Sequence, residues 1–183
     1  MALRSTIFKA EVQIADVDRG YYGDHSLTIA RHPSETDERM MIRLLAFALH
    51  ANDALAFGKG LSDENEPDLV ERNLTGSIEL WIETGLPDPK LLRRARSQAT
   101  EVRVYAYGRG APIWWNQNRA DIEALSNVSV WMIPAEETAA LARLAERTMK
   151  IQFTMQEGMV IVTNGEQALE IHPAPLPASN NRQ

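Results

Sequence analysis

The chain has no cysteine, which excludes disulfides, a thiolate nucleophile and cysteine-ligated zinc. Its four histidines, His25, His32, His50 and His172, form no i, i+4 pair and no zinc-binding spacing. No stretch approaches the roughly eighteen apolar residues of a membrane helix, and residues 1–6 lack the apolar run of a signal peptide. A cytoplasmic protein without membrane contact is the expectation. A G-x-S-x-G elbow, a P-loop and a dinucleotide-binding glycine fingerprint are also missing, which disfavours serine hydrolase, kinase and dehydrogenase chemistry. Positive charge is in short supply: 19 Lys and Arg stand against 25 Asp and Glu, for a net charge of −6. Such a chain has no general attraction for nucleic acid, so any binding needs a local basic patch or a metal ion.

What is present is the composition of a globular domain, 44% hydrophobic and 24% charged over 183 residues. That length fits one domain with a sizeable core. Residues 8–15 and 22–30 alternate in part around Asp16-Val17-Asp18-Arg19-Gly20, which predicts an antiparallel hairpin. Ser34 reads as the N-cap of a helix with Glu35, Asp37 and Glu38 in its first turn, carrying Met40, Met41, Leu44, Leu45, Ala48 and Leu49 at helical spacing. A short strand over 53–59, an acidic loop over 62–66, and two strands over 69–72 and 77–84 follow. Asp88 and Pro89 open a helix running to residue 99. Strand 101–107, helix 118–126, strand 128–133 and helix 135–149 precede three short strands between 150 and 171. The fold class expected is mixed α/β, a central mixed sheet flanked by helices. It forms a single domain over 1–175 with an N-terminal hairpin at about 6–31, C-terminal strands at about 150–172 and a loose tail at 176–183.

Pro67-Asp68 and Glu83-Thr84-Gly85 concentrate the chemistry. If Leu74-Thr75 forms an even-numbered turn, Val70 faces Glu79 and Asp68 faces Trp81, so that Asp68, Glu79, Trp81 and Glu83 share one sheet face. Leu69, Ile78, Leu80 and Ile82 then form the core face. Diagonal neighbours lie roughly 7–8 Å apart, and two carboxylates at that spacing can reach one Mg²⁺ that keeps water in its other positions. A three- or five-residue turn would separate them. The plainer alternative is two ordinary surface acids.

Glu66-Pro67-Asp68 and Glu83-Thr84-Gly85, in their order of helix, strand, strand pair, helix and strand, resemble the PD-(D/E)xK nuclease-like fold. Residues 77–87, the 8–31 hairpin and Ala111-Pro112-Ile113-Trp114-Trp115 resemble the YaeQ family of bacterial proteins over essentially the whole chain. The resemblance implies Asp68 and Glu83 as ligands of Mg²⁺ or Mn²⁺, no organic cofactor, and DNA or RNA as partner. It also expects a lysine two positions after the glutamate, where this chain has Gly85. Lys90 and Lys59 are candidate replacements, against the reading that both are solvated surface lysines. Gln98, on the helix after Glu83, is a candidate by the same resemblance, or else a boundary residue bonded to backbone.

Lys90, Arg93, Arg94, Arg96 and Arg103 form a basic cluster that could receive a phosphate backbone, or simply the cationic exterior of a helix. Tyr105, Tyr107, Trp114 and Trp115 offer base-stacking faces or core. Three functions follow: a Mg²⁺-dependent phosphodiesterase using Asp68 and Glu83 with Lys90 and Gln98 in support, a non-catalytic nucleic-acid-binding or regulatory protein, and a protein-interaction module.

Overall fold

The computed structural model describes residues 4–59, 63 and 65–177. Residues 1–3, residues 62 and 64 of the expected acidic loop and the last residues of the expected tail lie outside them. The hairpin forms as its alternation predicts. Strand β1 (Thr6–Asp16) buries Phe8, Ala10, Val12 and Ile14 and turns Lys9, Glu11 and Gln13 outward, while β2 (Tyr21–Arg31) pairs with it antiparallel, Phe8 against Ile29.

Helix α1 (Asp37–His50) starts later than its sequence suggests. Thr36, not Ser34, is the N-cap, and its hydroxyl accepts from Arg39 N at 3.1 Å. Glu35 therefore stands outside the first turn and is buried, because Arg43, a buried arginine of this helix, closes a two-pronged ion pair on it at 2.7 and 2.8 Å. After α1 come β3 (Leu55–Phe57), β4 (Leu69–Arg72), β5 (Ile78–Thr84), α2 (Pro89–Gln98) and β6 (Ala99–Ala106). Asp88 caps α2 through Lys90 N at 2.7 Å, with Pro89 in its first turn, as expected.

Helix α3 (Ala111–Glu123) begins seven residues before the predicted start, since Pro112 suits its first turn and buried Trp114 and Trp115 ride on it. Strand β7 (Val128–Met132) follows, then α4, which is short (Ala135–Ala142). The helix predicted to residue 149 stops early, because Met149, Ile151, Phe153 and Met155 alternate into the core as part of β8 (Thr148–Gln156), which pairs parallel to β1. Strands β9 (Met159–Thr163) and β10 (Ala168–Ile171) complete that sheet as read from the sequence. Beyond the C-terminal strands expected to end at about 172, β11 (Ala174–Leu176) pairs antiparallel with β7.

The single central sheet expected from the sequence is thus two mixed sheets. One runs β10-β9-β8-β1-β2, the other β11-β7-β6-β5-β4-β3. One core cluster joins β1, β2 and β8 to the inner face of the second sheet (Leu69, Leu80, Ile82, Tyr105) by way of α1. A second cluster on the outer face gathers Trp81, Val102, Val104 and Val130 under α2 and α3. Both faces of β5 are therefore covered, unlike the half-open strand expected.

Candidate functional site

The β4–β5 register decides whether Asp68 and Glu83 meet. The turn is not even-numbered. Asn73 N donates to Ser77 O at 2.9 Å across three residues, with Gly76 at φ +87° and Asn73 Oδ1 accepting from Thr75 N and Ser77 N. Alone, that turn would send the two acids to opposite faces. A bulge between Glu71 and Arg72 reverses the error: Arg72 pairs with Ile78, but Glu71 pairs with Leu80 and Leu69 with Ile82. The ladder ends at Leu69–Ile82; just before it, Asp68 N–H donates to Ile82 O at 2.9 Å, which sets Asp68 near the Glu83 end of β5.

A glycine holds this corner. Gly58 N donates to Asp68 O, and a Cβ at position 58 would stand 1.9 Å from Pro67 O. Only glycine lets β3 come that close to the Pro67-Asp68 backbone.

Both acids are buried, Asp68 at 2% and Glu83 at 6% exposure. Asp68 is fully engaged. Its Oδ2 accepts from Thr84 N at 2.7 Å and Thr84 Oγ1 at 2.9 Å, and its Oδ1 from Arg39 Nη2 at 2.6 Å. Arg39 reaches in from α1 and also bonds Glu35 at 3.0 Å. Burial disfavours the charged guanidinium, but the Asp68 and Glu35 carboxylates outweigh it and raise the Arg39 pKa. Glu83 faces the outer layer, where Trp81 Nε1 donates to its Oε1 at 2.7 Å; its Oε2 accepts no hydrogen bond among the described residues. Burial first and the Asp68 charge second push its pKa up to about 8, against the Trp81 hydrogen bond and the Arg39 and Arg94 charges. Burial and the neighbouring Asp68 charge thus favour the protonated form of Glu83.

Gly85 follows at φ +103°, with its N–H on Tyr105 O at 2.9 Å. A side chain here would meet little, Tyr107 Cε1 at 4.0 Å being the nearest atom. What excludes lysine is the backbone conformation, which L-residues rarely adopt. Lys90 is exposed in the first turn of α2. Gln98, exposed at the other end of that helix, precedes Ala99, which pairs with Ile78 at the start of β5. It lies five strand positions from Glu83, roughly 17 Å, and is not brought to the acids. Lys59 pairs with Glu66 at 3.2 Å.

The basic cluster is divided. Arg93, Arg94 and Arg96 are exposed on α2, with Arg94 reaching Asn65 Oδ1 at 2.6 Å. Arg103 belongs to the opposite face of the sheet, stacked 5.3 Å from the Trp131 ring and bonded to Glu101. Tyr105, Trp114 and Trp115 are buried, the Trp114 indole N–H donating to Pro87 O. They serve as core and not as a stacking surface. Arg39, Thr84 and Trp81, which close on the two acids, were not singled out as site residues from sequence. An arginine on the polar side of a helix start carries no distinguishing pattern, and it is the fold that delivers Arg39 to Asp68.

Over residues 1–173 the sequence matches the family described as YaeQ protein. The chain belongs to the YaeQ family. It is 45% identical over 173 residues to the "Uncharacterized protein YaeQ" of Escherichia coli (strain K12), covering 94% of this chain and 96% of that one. The Salmonella typhi relative of the same description is 46% identical over 172 residues, covering 93% of this chain and 95% of its own. Crystal structures of YaeQ proteins share the fold. That from Xanthomonas axonopodis pv. citri superposes with a TM-score of 0.91 at 43% identity, covering 96% of this chain and 99% of its own. That from Pseudomonas syringae does so with 0.91 at 38%, covering 96% and 97%. These YaeQ descriptions name no reaction.

Proposed function

We propose that this YaeQ protein acts on a phosphodiester, DNA or RNA, with a divalent cation held by Asp68 and Glu83 in an arrangement resembling the PD-(D/E)xK nucleases. One observation carries the reading: two buried carboxylates lie close enough at the end of β5 for Asp68 to help keep Glu83 protonated. Groups whose pKa is perturbed by burial together with a specific charged neighbour cluster at functional sites. Among the described residues no group of three or more His, Asp or Glu is placed to hold a metal ion; two carboxylates could hold a mostly water-ligated Mg²⁺ or Mn²⁺, provided Glu83 gives up its proton and Arg39 releases Asp68 Oδ1. A bound cation would supply Lewis-acid polarisation of a phosphate oxygen and a more acidic water.

The chain's own groups do the rest. Thr84 holds the other Asp68 oxygen and so fixes the carboxylate plane. Trp81 orients Glu83. Arg39, bonded to Asp68 through Nη2 and to Glu35 through Nη1, keeps positive charge beside the acids.

Cation loading must expel the Glu83 proton, so Mn²⁺ affinity should rise about tenfold per pH unit below pH 8. Titration calorimetry from pH 6 to 8 reads this out. Cleavage of DNA or RNA with Mn²⁺ should vanish in Asp68→Asn. No cleavage under any metal, or undiminished cleavage in Asp68→Asn, removes the catalytic reading.

A second reading, a non-catalytic nucleic-acid-binding or regulatory protein, is favoured by one specific arrangement. Asp68 is already neutralised by Arg39, and the backbone at Gly85 disfavours the usual lysine. Binding would then be metal-independent, weaken with salt, and fall when Arg93 and Arg94 are reversed to Glu.

A further inference from the structure

At the C-terminal end of α1, roughly 20 Å along that helix from Arg39's end, the two sheets part around a cavity of ≈ 380 Å³. That volume suits a small organic molecule. Its wall is mostly apolar, with Leu49, Tyr105, Trp131, Met155 and Val160 drawn from both sheets and α1.

The charged groups on the wall are not equivalent. Asp16 is bound by Arg19 Nε at 2.6 Å, and the remaining Arg19 donors cap α1 at Ala51 O (3.2 Å) and Ala48 O (3.4 Å). Asp18 accepts from Glu157 N at 2.8 Å and Gly158 N at 3.0 Å, tying the β1–β2 turn to the β8–β9 turn. These three side chains are occupied in holding the rim. His50 Nε2 and Tyr105 Oη share a 2.5 Å hydrogen bond, a polar spot on the wall.

Arg103 differs. Its ion-pair partner, Glu101, is not part of the wall; it lies on the same strand, is about half exposed and sits 2.6 Å from Arg103 Nη2. An exposed pair of this kind is worth little and is readily exchanged. Arg103 Nε is buried with no hydrogen-bond partner of normal geometry among the described residues, although the guanidinium lies near enough to the Tyr105 hydroxyl to oppose the rise of its pKa. A small turn of the guanidinium toward a carboxylate would therefore gain a bond that the chain itself does not supply.

We propose that this cavity is a second binding site, for a small aromatic monocarboxylate. Its ring occupies the space beside Trp131 and Met155, and its carboxylate takes both prongs of the Arg103 fork in place of Glu101. One anionic group is specified because only one wall cation has its counter-ion outside the cavity. The site is independent of the Asp68–Glu83 centre and does not rest on the reading of that centre.

Benzoate is the probe, and benzamide is its neutral counterpart of the same shape. Binding is followed by Trp131 fluorescence and by NMR shifts of residues around the cavity. Benzoate should bind wild type and bind about tenfold more weakly to Arg103→Met. Glu101→Gln, which removes the competing anion, should bind it more tightly than wild type, and Asp68→Asn should bind it as wild type does. Benzamide should not discriminate wild type from Arg103→Met. The proposal is overturned if benzoate moves no cavity residue, if its affinity survives Arg103→Met, or if Glu101→Gln weakens it.

Discussion

Gly85 carries a constraint that its place in the sequence does not reveal. A Cβ at this position would meet only Tyr107 Cε1, at 4.0 Å, so at that atom the resistance comes from the backbone. Holding an L-residue at φ +103° costs on the order of 1–3 kcal/mol. Gly85→Lys and Gly85→Ala should therefore lose stability by the same amount in urea unfolding, and neither should raise Mn²⁺-dependent cleavage above that of wild type. A Gly85→Lys variant as stable as wild type would contradict the conformational explanation. Sequence reasoning could see that the lysine was missing. It could not see that the backbone beside Tyr105 had turned into a conformation that keeps it out.

At the scale of elements, α1 is tied down by charge at its N-terminal end. Glu35, Arg43, Arg39 and Asp68 form a continuous run of ion pairs from the loop before the helix to the start of β4. Arg43 also donates to Ala30 O at the end of β2. Arg43→Met leaves Glu35 buried with Arg39 alone, and such a loss costs about 3–5 kcal/mol. Removing the partner too, in Glu35→Leu/Arg43→Met, should recover part of that, since no buried charge is then abandoned. If the double variant is less stable than the single one, the network is not an ion-pair system of this kind. The helix itself was legible from its apolar spacing. Its start was misread at Ser34 because Glu35 looks like a first-turn acid until Arg43 is seen to claim it. The β4–β5 ribbon holds the same lesson: an odd turn and a bulge each invert the facing of side chains, and together they restore it. The sequence reading set Asp68 opposite Trp81 and diagonal to Glu83, whereas it is Val70 that pairs with Trp81 and Leu69 with Ile82.

For the whole molecule, two buried groups shape stability against pH in opposite ways. Glu83, raised from 4.5 to about 8, keeps a proton that the unfolded chain releases. Its contribution is complete below pH 4.5 and is lost as pH rises to 8, by about 1.4 kcal/mol per unit. His50 is lowered from 6.5 to about 3, by burial first and then by the Arg103 and Arg19 charges. Its contribution is complete above pH 6.5 and is lost toward pH 3 with the same slope. Between pH 4.5 and 6.5 the two cancel, so urea titrations should give a plateau for their joint contribution. In Glu83→Gln that interval should instead rise with pH, and the decline from pH 6.5 to 8 should disappear. An unchanged profile in Glu83→Gln would mean that Glu83 is ionised in the native protein.

By itself the sequence determined the mixed α/β class, the hairpin, most of the strands and the Asp88 cap. Those follow from local periodicity, capping chemistry and residue type, which act over a few positions. The division into two sheets, the burial of both faces of β5, the arrival of Arg39 at Asp68 and the separation of Arg103 from the other arginines were decided only in three dimensions. Each depends on contacts between residues distant in the chain, such as Arg39 with Asp68 or β8 with β1, and no local pattern records which partner a buried charge or an unpaired strand edge will find.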